Sequence, residues 1–435
     1  MVKIIINNSF STILGLNLVE EKELRKLLSY SVGNFFSGPF GPRKKSLLSK
    51  KCEFPTGLLK RVHIYLSTKS IAYEKLEERG KRVCPNPLWD HDFGVTPYKD
   101  QIKAAEKAII CRRGTIVMPT GTGKSLVIAL IVAKLNVKTL IVVPSLEIKK
   151  QLTDGLKETL KGRCNVTVEN IDSAALKNIK GYDCLIIDEA HHVAAKTYQK
   201  LNKTAWQGIY WRFFLTATPF RNDTEETLLF ESIAGRVIYQ LNYEDSVKKG
   251  YIVPVESYYI EVPKQETDAY TWSQVYSELV VNNTVRNEII ALTLLRLNQN
   301  NVSTLCLVKE VAHGKKLAEL TGLPFVSGED DDSRQFIRQF NSGGQKVIIA
   351  TEGIMGEGVD SKPCEYVVIA GLGKAKSAFM QKVGRAVRRY TGKESAKVIL
   401  FRDRSHKFTL RHYNDQRRIL KDEYGSIPIK LEVIK

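Results

Sequence analysis

The sequence lacks the features that define several common protein classes. Its seven cysteines include no pair at Cys-x-x-Cys spacing, which excludes zinc ribbons, iron–sulfur clusters and a secreted disulfide framework. No charged-then-apolar leader opens the chain, and the longest apolar stretch, 126–135, is interrupted by Lys134 and is too short to span a bilayer. We therefore expect a soluble cytoplasmic protein with no membrane segment and no structural metal.

Acidic residues are scarce relative to basic ones. The 435 residues include 66 Lys and Arg against 47 Asp and Glu, which gives a formal net charge of +19. Residues 1–90 carry 16 basic and 8 acidic side chains, residues 371–435 carry 17 and 6, and residues 91–370 carry 33 of each. A neutral middle between basic ends indicates that the flanks grip a polyanion, with nucleic acid favoured over a membrane surface. The alternative is that these lysines only keep the protein soluble.

The N-terminal segment carries a group of cations that we call the basic cluster. An apolar stretch at 2–6 and a helix-like run at 20–30 precede residues 33–42, which are rich in glycine, proline and phenylalanine. This composition predicts a loop-borne cluster that contacts phosphates beside aromatic side chains, although a solvated loop would have the same composition. The basic cluster consists of Arg43, Lys44, Lys45, Lys50 and Lys51. A proline-bounded linker at 84–87 follows it.

From Phe93 onward, short apolar runs alternate with turns and helix-period stretches. This alternation predicts a mostly parallel sheet covered by helices on both faces. The runs form two groups, the first at 115–118, 139–143, 184–187 and 213–216, and the second at 303–308, 346–350, 366–370 and 397–401. The length and the two groups predict two α/β units joined through 240–300.

A glycine-rich loop follows the first apolar run and precedes a helical stretch. Gly121 and Gly123 allow backbone N–H groups to turn towards phosphates, Lys124 can reach the β and γ oxygens, and the Ser125 hydroxyl can ligate Mg²⁺. Met118 stands where the usual pattern has its first glycine. We expect the loop to bind ATP through Pro119, Thr120, Gly121, Thr122, Gly123, Lys124 and Ser125.

The third run of the first group ends in two acids, Asp188 and Glu189, followed by Ala190 and His191. At the C-terminal edge of a parallel strand, one carboxylate can hold the metal while its neighbour polarises the attacking water. We expect Asp188 to be the metal ligand and Glu189 to be the water-polarising group.

Together these motifs resemble the superfamily-two helicases with paired RecA-like domains, and the resemblance covers residues 93–405. It implies that Gln101 reads adenine, that Ser145 contacts the nucleic-acid strand, and that Thr216 and Thr218 couple hydrolysis to strand movement. ATP and Mg²⁺ are the cofactors that it implies.

In the second unit, the resemblance extends to two further motifs. Thr351 with Gly358 and Asp360 resembles motif five, and Gln381, Arg385 and Arg388 resemble motif six. The resemblance implies that Thr351 contacts the nucleic-acid strand and that Gly358, Asp360 and Gln381 help to bind ATP. An arginine supplied by a second domain can stabilise charge on a transferring phosphoryl group, and Arg385 and Arg388 are three apart on a predicted helix face. Because Lys376, Lys382 and Arg389 are nearby, contacts with nucleic-acid phosphates remain an alternative role for these arginines.

Other residues have simpler interpretations. His192 and His313 have no further ligands at metal spacing, so we expect both to be surface or core histidines. Trp272 and Tyr276 share a helix face, and we expect packing rather than base stacking.

The detailed motifs favour the branch that includes XPB, RecG and phage UvsW helicases, on the basis of residues 218–223 and 249–254. We expect two tandem RecA-like parallel-sheet domains preceded by a small α+β N-terminal domain. The domains are 1–88, a basic duplex-DNA-binding domain; 89–240, the ATP-binding domain; 241–300, an inter-domain segment; and 301–435, the second RecA-like domain with a basic C-terminal extension.

The resemblance implies a function and leaves alternatives. The chain is expected to be an ATP-dependent DNA helicase or translocase with a DEAH box, a monomeric motor acting on forks and junctions in replication, recombination or repair. If it is encoded by a bacteriophage, it acts in the host cytoplasm. The alternatives are a translocase on duplex RNA and a nucleic-acid-binding protein with a degenerate motor.

Overall fold

Parallel strands covered by helices make up most of the chain. The structure is a computed structural model that describes residues 1–32, 43–79, 87–88, 90–177, 179–217, 224–328, 333–353, 364–373 and 376–432. The chain divides into two compact units, which we describe separately: residues 1–118 and 123–241 form the first, and residues 119–122 and 242–435 form the second. None of the helices in these ranges is long and apolar enough to cross a membrane.

The N-terminal region is a small α+β structure. Its sheet has the strand order β5-β2-β1-β6, with β1 and β2 antiparallel and β1 and β6 parallel, and a separate hairpin pairs β3 with β4. Alternate residues of β1 are buried, and α1 begins with a capping box between Asn17 and Glu20. The strands are β1 (Val2–Ile6), β2 (Phe10–Leu14), β3 (Ser29–Val32), β4 (Arg43–Ser46), β5 (Glu53–Pro55) and β6 (Tyr73–Glu77), and the helices are α1 (Leu18–Leu27) and α2 (Leu59–Thr68).

The first α/β layer follows within the same unit. Its strands are all parallel, in the order β12-β7-β11-β10-β8-β9. The central strands β8, β10 and β11 are buried along their whole length, as expected for a sheet covered on both faces. The elements are α3 (Lys99–Cys111), β7 (Arg113–Val117), α4 (Lys124–Leu135), β8 (Thr139–Val143), α5 (Leu146–Leu160), β9 (Val166–Asn170), β10 (Cys184–Ile187), α6 (Lys196–Lys203), β11 (Trp211–Thr216), α7 (Thr224–Ala234) and β12 (Val237–Gln240).

The second unit contains another parallel sheet, in the order β15-β16-β14-β17-β18-β13-β19. A π-helical turn, Ser277–Val281, follows α9. The elements are α8 (Tyr243–Lys248), β13 (Val255–Val262), α9 (Trp272–Tyr276), α10 (Thr284–Gln299), β14 (Thr304–Val308), α11 (Val311–Thr321), β15 (Phe325–Val326), α12 (Ser333–Ser342), β16 (Val347–Thr351), β17 (Tyr366–Ile369), α13 (Lys376–Ala386), β18 (Ala396–Asp403), α14 (Lys407–Tyr424) and β19 (Ile429–Leu431).

The predicted fold class, two parallel-sheet domains preceded by a small α+β region, is confirmed by these sheets. Residues 241–300 supply β13 and α10 to the second unit, where β13 pairs with β18 over eight residue pairs. The proposed bounds of the four domains stay predictions.

Candidate active site

The residues that follow β7, β10 and β11 meet at the C-terminal edge of the first sheet. Val117 is paired with Thr216, and Ile187 is paired with Phe214. The Met118 N–H donates to the Thr216 carbonyl at 3.1 Å, and the Asp188 N–H donates to the Val142 carbonyl at 3.1 Å. In an open α/β sheet, this edge is where ligands bind.

The glycine-rich loop lies between β7 and α4. Gly121 and Gly123 have φ values of 90° and 78°, in the left-handed region that favours glycine. The Thr122 hydroxyl donates to the Pro119 carbonyl at 2.7 Å, which holds the turn closed. Lys124 is the first residue of α4, and its Nζ lies 3.5 Å from the Met118 carbonyl oxygen. The loop therefore presents helix N–H groups and an ammonium together, an arrangement that binds phosphates.

Gln101 lies in the first turn of α3 and contacts this loop. Its Oε1 accepts from the Tyr98 N–H at 2.8 Å, and its Nε2 donates to the Gly123 carbonyl at 3.4 Å. A Cβ on Gly123 would lie 2.4 Å from Gln101 Nε2. Position 123 therefore needs glycine for its backbone angle, and a Cβ there would push the Gln101 amide aside.

The two acids after β10 differ in exposure and in electrostatics, since Asp188 is buried and Glu189 is half-buried. The Glu189 N–H donates to Asp188 Oδ1 at 2.9 Å, and Glu189 has φ of 47°, a strained conformation for a non-glycine residue. Burial, and then the neighbouring Glu189 charge, raise the pKa of Asp188 to about 6. Burial alone would raise the pKa of Glu189, but Lys124 and His191 outweigh it and lower that pKa to about 2. Glu189 is therefore ionised at neutral pH.

His191 joins the acids to the end of β11. The residue is 5% exposed, and its Nδ1 lies 3.4 Å from Glu189 Oε2 and 3.4 Å from Thr216 Oγ1. This contact links the group expected to polarise water with the threonine expected to couple hydrolysis to movement. Sequence reasoning used His191 only to identify the motif and assigned it no role.

The oxygen donors at this edge fit Mg²⁺. Asp188 supplies a carboxylate and Ser125 an exposed hydroxyl, both hard ligands, and Mg²⁺ in such sites takes its remaining ligands from phosphates and water. Asp188 and Glu189 are adjacent carboxylates, a like-charge pair whose repulsion a divalent cation would relieve. Within the described ranges, no three His, Cys, Asp or Glu side chains are grouped to hold a metal by themselves.

The residues expected to contact nucleic acid lie in three places. Ser145 caps α5, where its Oγ accepts from the Ile148 N–H at 3.3 Å, and Thr351 ends β16 and is 9% exposed. In the basic cluster, the expected loop is wrong for 43–46, because these residues form β4, which pairs with β3. The antiparallel pairing with β3 holds the backbone of β4 extended. The side chains described as exposed are Lys44, Lys45, Lys50 and Lys51.

The second-unit motif residues are only partly described. Gln381 is exposed on α13, but this helix ends at Ala386, so the expected shared helix face of Arg385 and Arg388 is wrong. Arg388 instead forms an isolated antiparallel bridge with Ile252.

Lys382, to which we assigned no role in this site, is 4% exposed and pairs with Glu352. Thr218, Gly358, Asp360 and the side chains of Arg43 and Arg385 lie outside the described residues.

Four further residues pack against other side chains of the protein. The rings of Trp272 and Tyr276 pack with centroids 5.3 Å apart. His313 is fully buried with Nε2 2.9 Å from Asn287 Oδ1, and the half-buried His192 lies with its ring 4.1 Å from that of His191. These contacts agree with the packing interpretations made from the sequence.

Comparison with known proteins identifies the family. Residues 94–178 and 163–221 match the family described as "Type III restriction enzyme, res subunit", and residues 287–390 match "Helicase conserved C-terminal domain". The "DNA 3'-5' translocase XPB2" of Sulfurisphaera tokodaii is 22% identical over 375 residues, which cover 72% of this chain and 83% of the relative. The "ATP-dependent DNA helicase uvsW" of phage T4 is 22% identical, over 70% of this chain and 68% of its own length.

A solved structure supports the same fold. A fragment of a putative HsdR subunit of a type I restriction enzyme from Vibrio vulnificus superposes with a TM-score of 0.59 at 19% identity, covering 90% of this chain and 76% of that one. The chain belongs to the superfamily-two helicases. It is a helicase or translocase related to the XPB and UvsW types, in a family that uses ATP, typically with Mg²⁺.

Proposed function

We propose that this protein is an ATP-dependent DNA helicase or translocase that remodels forks and junctions during replication, recombination or repair. The observation that carries the proposal is the contact network of Glu189, His191 and Thr216 beside the phosphate loop. It joins groups suited to ATP hydrolysis with the residue expected to couple hydrolysis to strand movement.

Each residue of the ATP site has a chemical task in this proposal. The N–H groups at the start of α4 and the Lys124 ammonium hold the phosphates, and Gln101 reads the adenine. Ser125 and Asp188 would hold Mg²⁺, which when bound neutralises charge on the phosphate oxygens. Glu189 is ionised at neutral pH, so it can accept a hydrogen bond from the attacking water and orient it.

The choice of DNA rests on the relatives and on surface charge. The names of both relatives include DNA, and the exposed lysines of the basic cluster give this chain a surface that can contact phosphates. A monomeric motor is sufficient for this activity, because one chain supplies both parallel-sheet units.

The test is one ATPase and unwinding assay across forked, four-way-junction and single-stranded DNA and duplex RNA, with Mg²⁺ present and removed by chelation. We expect hydrolysis to need Mg²⁺ and to be stimulated most by forks and junctions, with strand separation on the same substrates. Stimulation by duplex RNA but not by DNA would replace the DNA proposal with the RNA one. Absence of hydrolysis on every substrate would contradict the motor itself.

A further inference from the structure

Helix α7 belongs to two hydrophobic cores at once. Leu228 is buried in the core of the N-terminal region with Leu58 and Val62. Phe230 and Ile233 are buried in the core of the first sheet, which also contains Ile187, Ala190 and Phe214. Ile187 and Ala190 flank the acids of the ATP site. One short helix thus packs against both the N-terminal region and the strands that position Asp188 and Glu189.

The N-terminal region meets α7 backbone to backbone. A Cβ built on Gly57 would lie 2.1 Å from the Glu231 carbonyl oxygen and 2.5 Å from that of Ser232. Beside this contact, the Arg61 guanidinium pairs with the Glu231 carboxylate. Because carbonyl oxygens of a helix cannot move aside as a flexible side chain can, only glycine permits this approach.

Two arginines of the first sheet, the half-buried Arg113 and the buried Arg212, contact the same region. Arg113, on β7, donates to the Asn8 carbonyl at 2.5 Å and to the Ile233 carbonyl at 2.7 Å. Arg212, on β11, donates to Ser9 Oγ at 3.0 Å. These acceptors are neutral groups, and within the described part of the chain neither guanidinium is paired with an opposite charge, an arrangement that costs free energy. Burial accordingly lowers the pKa of Arg113 to about 9 and lowers that of Arg212.

These contacts converge on the strand that ends in the coupling threonine. Arg212 is near the start of β11, and Thr216 is its last residue. Thr216 contacts His191, which contacts Glu189. A displacement of the N-terminal region that acts on α7 or on Arg212 therefore reaches elements that position the hydrolytic groups.

We propose that α7, through its contacts at Gly57 and Arg61, is a coupling element that transmits duplex engagement by the N-terminal region to the ATP site. Gly57 and Arg61 are positioning residues, since neither touches ATP. The proposal rests on the proposed function, because it requires that the N-terminal region grips duplex DNA.

The experiment compares the full-length wild type with Gly57→Ala and, as matched control, Gly155→Ala. Gly155 lies on α5, and nothing lies within 4 Å of the Cβ it would gain. ATP turnover is measured at saturating forked DNA and at saturating single-stranded DNA, and fork affinity is measured separately. We expect the ratio of fork-stimulated to single-strand-stimulated turnover to fall by about 5-fold or more in Gly57→Ala. Single-strand-stimulated turnover and fork affinity should stay close to wild type, and Gly155→Ala should keep the wild-type ratio.

An unchanged ratio in Gly57→Ala, or a loss of fork affinity with an unchanged ratio at saturation, would show that the contact is only structural. A wild type that no fork stimulates would contradict the proposed function and the coupling with it, whereas a stimulated wild type with an unchanged ratio in the variant contradicts the coupling alone.

A second set of variants covers the case in which Gly57→Ala does not fold, as judged by circular dichroism. Arg61→Glu and Glu231→Arg should each lower the fork-to-single-strand ratio, and the double variant should restore it, because reversed charges can pair again. Failure of the double variant to recover, or no effect of either single change, would overturn the proposal.

Discussion

The two parallel sheets differ at the edge where β7 and β14 lead to the helices that follow them. In the first unit, β7 leads through a glycine-rich loop to α4, whose N-cap is Gly123 with φ of 78°. In the second unit, β14 leads directly to α11, whose N-cap is Glu310 with φ of −112°. A carboxylate at a helix N-terminus stabilises the helix but repels a phosphate. We therefore expect the same architecture to bind ATP only where the local residues allow it.

The charges behind these edges differ in the same way. In the first unit, burial and then the adjacent Glu189 carboxylate leave Asp188 with a raised pKa. In the second unit, the carboxylate after β16, Glu352, is paired with Lys382. The edge of the first sheet, where two adjacent carboxylates repel each other, is suited to bind a cation and a phosphate. The edge of the second sheet, where the carboxylate is paired with a lysine, is suited to position neighbouring groups.

The largest expected effect follows from removing the phosphate-binding ammonium of the first unit. Lys124→Ala should abolish measurable ATP hydrolysis, because the β and γ oxygens lose their cationic partner. Lys134→Ala, on the same helix and paired with Glu106 at 3.6 Å, is the control and should keep wild-type turnover. Steady-state ATPase rates check this, and normal turnover in Lys124→Ala would remove the basis for calling the two edges different.

The second unit should contribute to hydrolysis through Arg388. Arg388→Ala is expected to slow hydrolysis by about 10³-fold or more, with DNA affinity close to wild type. Arg389→Ala is the matched control, since the exposed Arg389 donates from Nη1 to the Gly250 carbonyl at 2.9 Å. ATPase rates and DNA affinities are measured on both. If affinity falls while turnover of the bound complex is unchanged, Arg388 contacts DNA and not ATP.

The basic cluster should affect binding and leave the chemistry intact. Neutralising Arg43, Lys44, Lys45, Lys50 and Lys51 together should flatten the slope of log K against log[salt] on forked DNA by up to about four. Hydrolysis stimulated by single-stranded DNA should survive. A control in which the exposed α6 lysines Lys196, Lys200 and Lys203 are neutralised should keep the wild-type slope. A salt series of binding measurements decides, and an equal slope in both variants would make the cluster an ordinary solvated surface.

The smallest expected effect concerns the link between hydrolysis and movement. Thr216→Val keeps the side-chain shape but removes the contact with His191. Losing one hydrogen bond costs about 1 kcal/mol of free energy, which corresponds to roughly a fivefold change in an equilibrium constant. We expect base pairs unwound per ATP to fall by that factor while ATP affinity is retained. Thr204→Val is the control, because Thr204 lies outside the ATP site and its hydroxyl donates to the Lys200 carbonyl. Simultaneous unwinding and ATPase measurements check it, and an unchanged yield would leave Thr216 a packing residue.

Much of the first sheet could be predicted from apolar runs and their flanking residues. The runs at 139–143 and 184–187 coincide with β8 and β10, because strands buried on both faces are continuously apolar. The phosphate loop and the acids could be identified for the same reason, since each follows such a strand. By contrast, β13 was not predicted: its partly buried sequence, Val255–Val262, alternates only loosely between apolar and polar residues.

Contacts between residues distant in sequence could not be predicted. Nothing local indicates that Gly57 approaches Glu231 or that Arg113 holds the Asn8 carbonyl, because each contact depends on how two finished substructures pack. The role of His191 was missed for the same reason, since Thr216 lies 25 residues further on. The end of α13 at Ala386 was also missed, because β-bridge formation by Arg388 depends on Ile252 in a distant segment.

The central claim is that the acidic edge of the first sheet performs hydrolysis, and Glu189→Gln tests it most directly. Binding of a fluorescent ATP analogue and single-turnover hydrolysis of ATP are measured on this variant and on wild type. The account predicts that the variant binds nucleotide with near wild-type affinity but does not hydrolyse it, because only the water-orienting carboxylate is lost. Hydrolysis at the wild-type rate would contradict the account.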